Sequence, residues 1–234
     1  VANRIHPTAV LSAGVELGDG NVIGPYAVLL GPSRIGDRNW IAPHVCIGMP
    51  PEHKAHGKPV AWDGEVEGVG VTIGSDVTLR EFATVHQGTE RPTTISDGCY
   101  LMSRAHVGHD NRLLAGVTMA PGAAVAGHSV LWDGATVGMG ATIHQRTIVG
   151  PGAMIGMAAA VNRDVGPFTT VLGNPARVAG TNGVALRKLG ADDALVAGWP
   201  DVVAGRAPLG ADAPQALADL LQRWDAAVAA RGAS

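Results

Sequence analysis

The chain has 234 residues and a formal net charge of −3, a balance that excludes a general electrostatic pull toward nucleic acid or an anionic membrane surface. Its 33 glycines are about twice the usual ~7% share, and with only two Phe and two Tyr they favour many tight turns around a slim aliphatic core. Two cysteines, Cys46 and Cys99, are too few for a disulfide framework, and no apolar run approaches a membrane span, so a reduced cytoplasmic setting without membrane insertion is expected.

From the start the chain keeps a six-residue beat of aliphatics: Ile5, Leu11, Leu17, Ile23, Leu29, Ile35, Ile41 and Ile47. The beat fails from Met49 to Gly70, a stretch with three prolines, two histidines and mixed charge, and resumes at Ile73, Leu79 and Val85. It skips four residues in the loop at 88–94, then runs unbroken through twelve positions from Ile95 to Val161. Neither a 3.6-residue period nor plain alternation explains a strict six with Gly beside the aliphatic. A solenoid does: each hexad is a short strand and a turn, and three hexads close one triangular coil of 18 residues. The 23 hexads then make between seven and eight coils of a parallel β-helix. Small residues four places after the aliphatic, such as Ala105, Ala123, Ala141 and Ala159, suit the cramped corners of a narrow prism.

After Val161 the stretch Val165 to Val178 reads as turn-rich, Asn182 to Leu189 as a short helix, Pro200 to Pro214 as linker, and Ala213 to Arg231 as an amphipathic helix. That last helix is expected to cap the open end of the solenoid. The domain reading is a β-helix over 1–180, with insertions at 49–70 and 88–94, followed by a short helical region over 181–234.

Counting by eighteens puts Val107, Val125 and Ile143 on one face in three successive coils, and removal of the four-residue loop places Val85 one coil earlier. The histidines fall against those markers: His86 one past Val85, His109 two past Val107, His128 three past Val125, His144 one past Ile143, with His106 just before Val107. Stacked coils are roughly 4.8 Å apart, so five histidines form a ladder on or beside one face. Such a cluster points to catalysis, with His109 as its head. Asp110 can orient His109 only if the chain turns there, because adjacent strand residues point to opposite sides.

The hexads, the opening Ile5-His6-Pro7-Thr8-Ala9, the segment Arg80 to Thr89, His106-Val107-Gly108-His109-Asp110, Ala126-Gly127-His128, His144-Gln145, Gly173-Asn174 and Gly183 to Gly190 together resemble the acyl-ACP:UDP-N-acetylglucosamine O-acyltransferases of lipid A biosynthesis. The resemblance implies a left-handed parallel β-helix, a homotrimer, and active sites in clefts between neighbouring subunits. It implies an acyltransferase that moves an acyl group from an acyl carrier protein thioester, or one of coenzyme A, to a sugar-nucleotide hydroxyl without a cofactor. His109 would be the general base, a task that suits imidazole, with Asp110 beside it. The backbone N–H of Gly127 would bind the oxyanion. His86, His106, His128, His144 and Gln145 would line the donor–acceptor cleft, with Glu52 and Lys54 near the sugar nucleotide. Asn174, Arg187 and Lys188 would serve the donor arm or diphosphate.

Three departures from the family stand out. The helical region beyond Gly190 is shortened, and the 49–70 insertion has its own sequence where the acceptor would sit. Met157 stands where long-chain members carry a small residue, which predicts a short or medium acyl chain. Rival readings are acylation of another amino sugar or secondary-metabolite sugar at O or N, a catalytically silent scaffold, and a zinc enzyme like the γ-type carbonic anhydrases. The last departs in histidine spacing, and with no Cys or carboxylate standing in as a ligand no metal is expected.

Overall fold

The computed structural model describes residues 1–56 and 68–232, so residues 57–67 of the central insertion lie outside the described residues. The hexads fold as a left-handed parallel β-helix. Its first sheet stacks strands from Arg4–Ile5 to Thr169–Leu172, its second from Val10–Leu11 to Ala160–Val161, and its third from Val15–Leu17 to Ile148–Val149. Pairing is parallel with an 18-residue step, Val107 on Val125 and Val125 on Ile143. Across the 88–94 loop the step widens to 22, with Val85 on Val107, which keeps the inward face in register.

One residue of each hexad points into the bore. Leu101, Val107, Leu113, Met119, Val125, Leu131 and Val137 are fully buried and belong to one continuous core, with Ala105, Ala123 and Ala141 filling the corners beside them. The corners need left-handed backbone. Between the third and first sheets that role falls to Gly116, Gly134 and Gly152, with φ of 67°, 65° and 59°. Between the second and third sheets the same conformation is imposed on Asp110, His128 and Arg146, with φ of 60°, 61° and 63°. In these three coils the corner between the second and third sheets keeps a polar side chain at every turn, and Arg38, Asp76, Phe82 and Arg104 hold the same left-handed backbone at other corners.

Past Val161 the structure departs from the sequence reading. The stretch expected to be turns adds another rung, Thr169–Leu172, parallel to Met154–Ile155, and then an antiparallel strand, Arg177–Thr181. Three helices follow: α1 (Gly183–Lys188), α2 (Asp193–Val203) and α3 (Gln215–Gly232). Helix α2 runs into the expected linker and contains Pro200. It is held by buried Trp199, whose Nε1 donates to the Pro167 carbonyl at 2.9 Å and whose ring meets Phe168 edge-on. Helix α3 returns to the solenoid, Trp224 meeting Trp132 edge-on at 5.3 Å and Arg223 pairing with Asp133. Among the described residues no helix is long and apolar enough to cross a membrane.

Candidate active site

The corner between the second and third sheets carries the chemistry. Strand His106–Val107 ends there, and the left-handed backbone at Asp110 turns the chain before strand Arg112–Leu113. That turn meets the condition for Asp110 to reach its neighbour: His109 Nδ1 lies 2.7 Å from Asp110 Oδ2. The 88–94 loop wraps the same carboxylate. The N–H groups of Glu90 and Arg91 donate to Oδ1 at 2.9 and 3.0 Å, and the N–H and hydroxyl of Thr89 donate to Oδ2. Burial alone would raise the Asp110 pKa, but the N–H groups of Arg91, Glu90 and Thr89 and the His109 ring hold it well below the usual carboxylate range. An ionised carboxylate only accepts, so Nδ1 of His109 carries the proton and Nε2 keeps a lone pair.

One coil on, Gly127 lies against that ring. A Cβ on Gly127 would stand 2.6 Å from both Cε1 and Nε2 of His109, so only glycine lets the imidazole rest on the main chain. Among the described residues the Gly127 N–H donates to no acceptor. His128 follows, its ring edge-on to His109 at 5.0 Å and its Nε2 3.7 Å from Asp110 Oδ2. Burial depresses the His128 pKa, with Asp110 opposing, so the neutral ring is favoured. Beneath the corner, buried Asn111 donates to the Gly108 carbonyl and accepts from Ser129 N–H, tying the two turns together. Asn111 was not singled out from the sequence, because nothing in the repeat distinguishes it from other polar turn residues.

The coil before, together with His106 on this coil, brings a second group. His86 Nδ1 meets the Pro50 carbonyl at 2.8 Å and His106 Nδ1 meets Thr84 Oγ1 at 2.9 Å. Both outer nitrogens face Glu52, at 3.7 and 3.3 Å. Burial lowers the His106 pKa against the pull of Glu52. Glu52 was expected near the sugar nucleotide only through the family resemblance, and the expectation that no carboxylate stands among the histidines as a possible metal ligand is corrected here. Glu52 arrives because residues 50–53 fold back over strand Thr84–His86, a closure with no periodic signal. His53 rides on the same loop, edge-on to His109 at 5.7 Å, and had not been recognised as a site residue. Two sets of side chains have the donors to hold a cation, Glu52–His86–His106 and His109–Asp110–His128.

Other expected site residues stand apart within one chain. His144 and Gln145 are exposed on the coil after His128, with His144 Nδ1 3.2 Å from the Gln145 carbonyl. Lys54 and Asn174 are exposed. Arg187 is bound to Asp193 at 2.9 Å, and Lys188 lines a cavity of about 520 Å³ with Met154, Phe168 and Leu220. Met157 is 74% exposed and lies at the corner between the first and second sheets, across the second sheet from His109. A groove of about 500 Å³ opens beside His128, lined by Arg91, Arg112, Arg146 and Trp132 under the end of α3.

No protein-family model matches the chain. It is 36% identical over 216 residues to the acyl-[acyl-carrier-protein]–UDP-N-acetylglucosamine O-acyltransferase of Thermodesulfovibrio yellowstonii, a match covering 83% of this chain and 80% of the relative. With the protein of the same name from Halorhodospira halophila the identity is 40% over 148 residues, 62% of this chain and about half (54%) of the relative's length. Among solved structures, the UDP-N-acetylglucosamine acyltransferase from Campylobacter jejuni matches with a TM-score of 0.74 and 30% identity, covering 94% of this chain and 90% of that one.

Proposed function

The chain belongs to the acyl-[acyl-carrier-protein]–UDP-N-acetylglucosamine O-acyltransferases, and we propose that His109, Asp110 and Gly127 carry out the transfer that this family name describes. The observation that carries the reading is the 2.7 Å contact of His109 Nδ1 with a buried, ionised Asp110, which leaves Nε2 as a base. His109 Nε2 takes the proton of a sugar-nucleotide hydroxyl as its oxygen attacks the thioester carbonyl. Asp110 stabilises the imidazolium that forms. The carbonyl oxygen takes up negative charge, which the Gly127 N–H would receive. Collapse of the tetrahedral intermediate expels the thiolate, which recovers the proton from His109, so the ester and a free carrier thiol leave together. General-base assistance of this kind contributes about 10²–10⁴-fold.

The rest of the cleft is assigned to a homotrimer in the cytoplasm. Met157, Asn174, Arg187 and Lys188 do not converge on His109 within one chain, and a neighbouring copy would supply them from its other corner. His86, His106, His128, His144 and Gln145 would then line the acceptor side, with Glu52 and Lys54 above it. The exposed side chain of Met157 would shorten the acyl groove and select a short or medium chain. Hydrophobic burial by a longer chain is lost where a Met side chain already fills the space. No cofactor takes part, since the thioester supplies the activated acyl group.

The test is mass spectrometry of UDP-N-acetylglucosamine incubated with the protein and a panel of acyl carrier protein and coenzyme A thioesters. An acylated sugar nucleotide from a carrier-protein donor is expected. Its absence with every donor would remove this acceptor, and a preference for long chains would remove the role given to Met157.

A further inference from the structure

We propose that Glu52, His86 and His106 form a binding site for one divalent cation of the zinc class, bridging the coil of the His109 base and the coil before it. The three residues come from two successive strands and a loop, yet their outer atoms converge within 4.8 Å of one another. A tetrahedral zinc site with bonds of roughly 2.0–2.1 Å separates neighbouring ligand atoms by about 3.3 Å. The carboxylate of Glu52 lies 3.3 Å from His106 Nε2 and 3.7 Å from His86 Nε2.

The inner nitrogens are fixed as metal-ligating histidines require. The Pro50 carbonyl can only accept, so His86 Nδ1 carries its hydrogen and Nε2 turns a lone pair toward Glu52. Thr84 Oγ1 is placed to do the same for His106. Such partners set the tautomer and ring orientation of metal ligands. Two imidazoles and a carboxylate are a zinc donor set that leaves a fourth position open. Glu52, with its side chain 61% exposed, leaves that position on the solvent side and supplies a route of entry.

A cation here would pin the loop carrying Glu52 to strands Thr84–His86 and His106–Val107. His53, next along the loop, would thereby be held against His109. The inference does not depend on acyl transfer, and the titration below reads it without turnover.

The experiment is isothermal titration of the chelator-stripped full chain with Zn²⁺. One saturable site per chain is expected. Thr84→Val, which removes only the partner of His106, should weaken it by roughly 10–100-fold, and Glu52→Gln by at least as much. His128→Ala should bind as the unaltered chain does, because His128 belongs to the other histidine group. Circular dichroism confirms that each variant is folded, and His86→Ala replaces any that is not. Absence of saturable binding, equal affinity in Glu52→Gln, or loss of binding in His128→Ala would each overturn the proposal.

Discussion

The imidazole of His109 and the carboxylate of its sequence neighbour Asp110 meet at 2.7 Å, a contact that two consecutive residues of a straight strand cannot make. The left-handed backbone at Asp110 bends one side chain onto the other, and the 88–94 loop holds the carboxylate with three backbone N–H groups. Asp110→Asn keeps the shape but loses the acceptor-only group that sets the His109 tautomer. The expected result is a fall in kcat of about 10²–10⁴-fold with acceptor KM within a few-fold, measured by steady-state kinetics. An unchanged kcat would take Asp110 out of the mechanism.

Gly127 is constrained by the ring it supports. In Gly127→Ala the new Cβ would stand 2.6 Å from His109 Nε2, so the imidazole must move. Displacement of a catalytic group by about 1 Å costs about 10²-fold, and a loss of that size is expected in kcat, with the melting temperature used to show that the fold survives. Activity at the level of the unaltered chain would show that Nε2 does not act from where it rests.

Acid should weaken the fold in two stages of known sign. Burial lowers the pKa of His106 and His128, so below about 6.5 the unfolded chain binds more protons than the folded one. Their effect is therefore absent above that pH and destabilises progressively as pH falls through it. Asp110 is shifted the other way. Its stabilisation is complete above the unfolded value of about 3.9 and is lost as pH falls below that. Melting temperatures across pH should be level above about 7 and decline below about 6.5. His128→Gln should make the first decline shallower; an identical decline would show that His128 is not its source.

Met157 tests the acyl groove. Met157→Gly removes a side chain that is 74% exposed in the single chain, so folding is expected to be unharmed. The preferred thioester should move to a longer chain when rates are compared across a donor series. An unchanged preference would leave Met157 as a surface residue only.

The solenoid was legible because a triangular prism imposes its own period. Leu101, Val107 and Leu113 each have to enter the bore, so the six-residue beat is the fold written out, and counting by eighteens aligns His109 with Gly127 and His128. The pairing of His109 with Asp110 was legible only as a condition, since it depends on one backbone angle. Glu52 was reached only through the family resemblance and His53 not at all, because the loop that carries them closes on itself and leaves no spacing to count. Helix α2 was hidden by Pro200, whose ring would break most helices but is tolerated beside the anchored Trp199. The strand Thr169–Leu172 was missed because two prolines and two glycines around it outweigh its four strand-forming residues. The insertion at 88–94 read as an interruption, yet it supplies the donors that keep Asp110 ionised.

The most direct test of the base is the rate at which UDP-N-acetylglucosamine is acylated by the unaltered chain and by His109→Ala, each folded and supplied with the same acyl carrier protein thioester. Loss of about 10²–10⁴-fold in kcat in the variant is the expected result. Equal rates in the two proteins would contradict the assignment of His109 as the base.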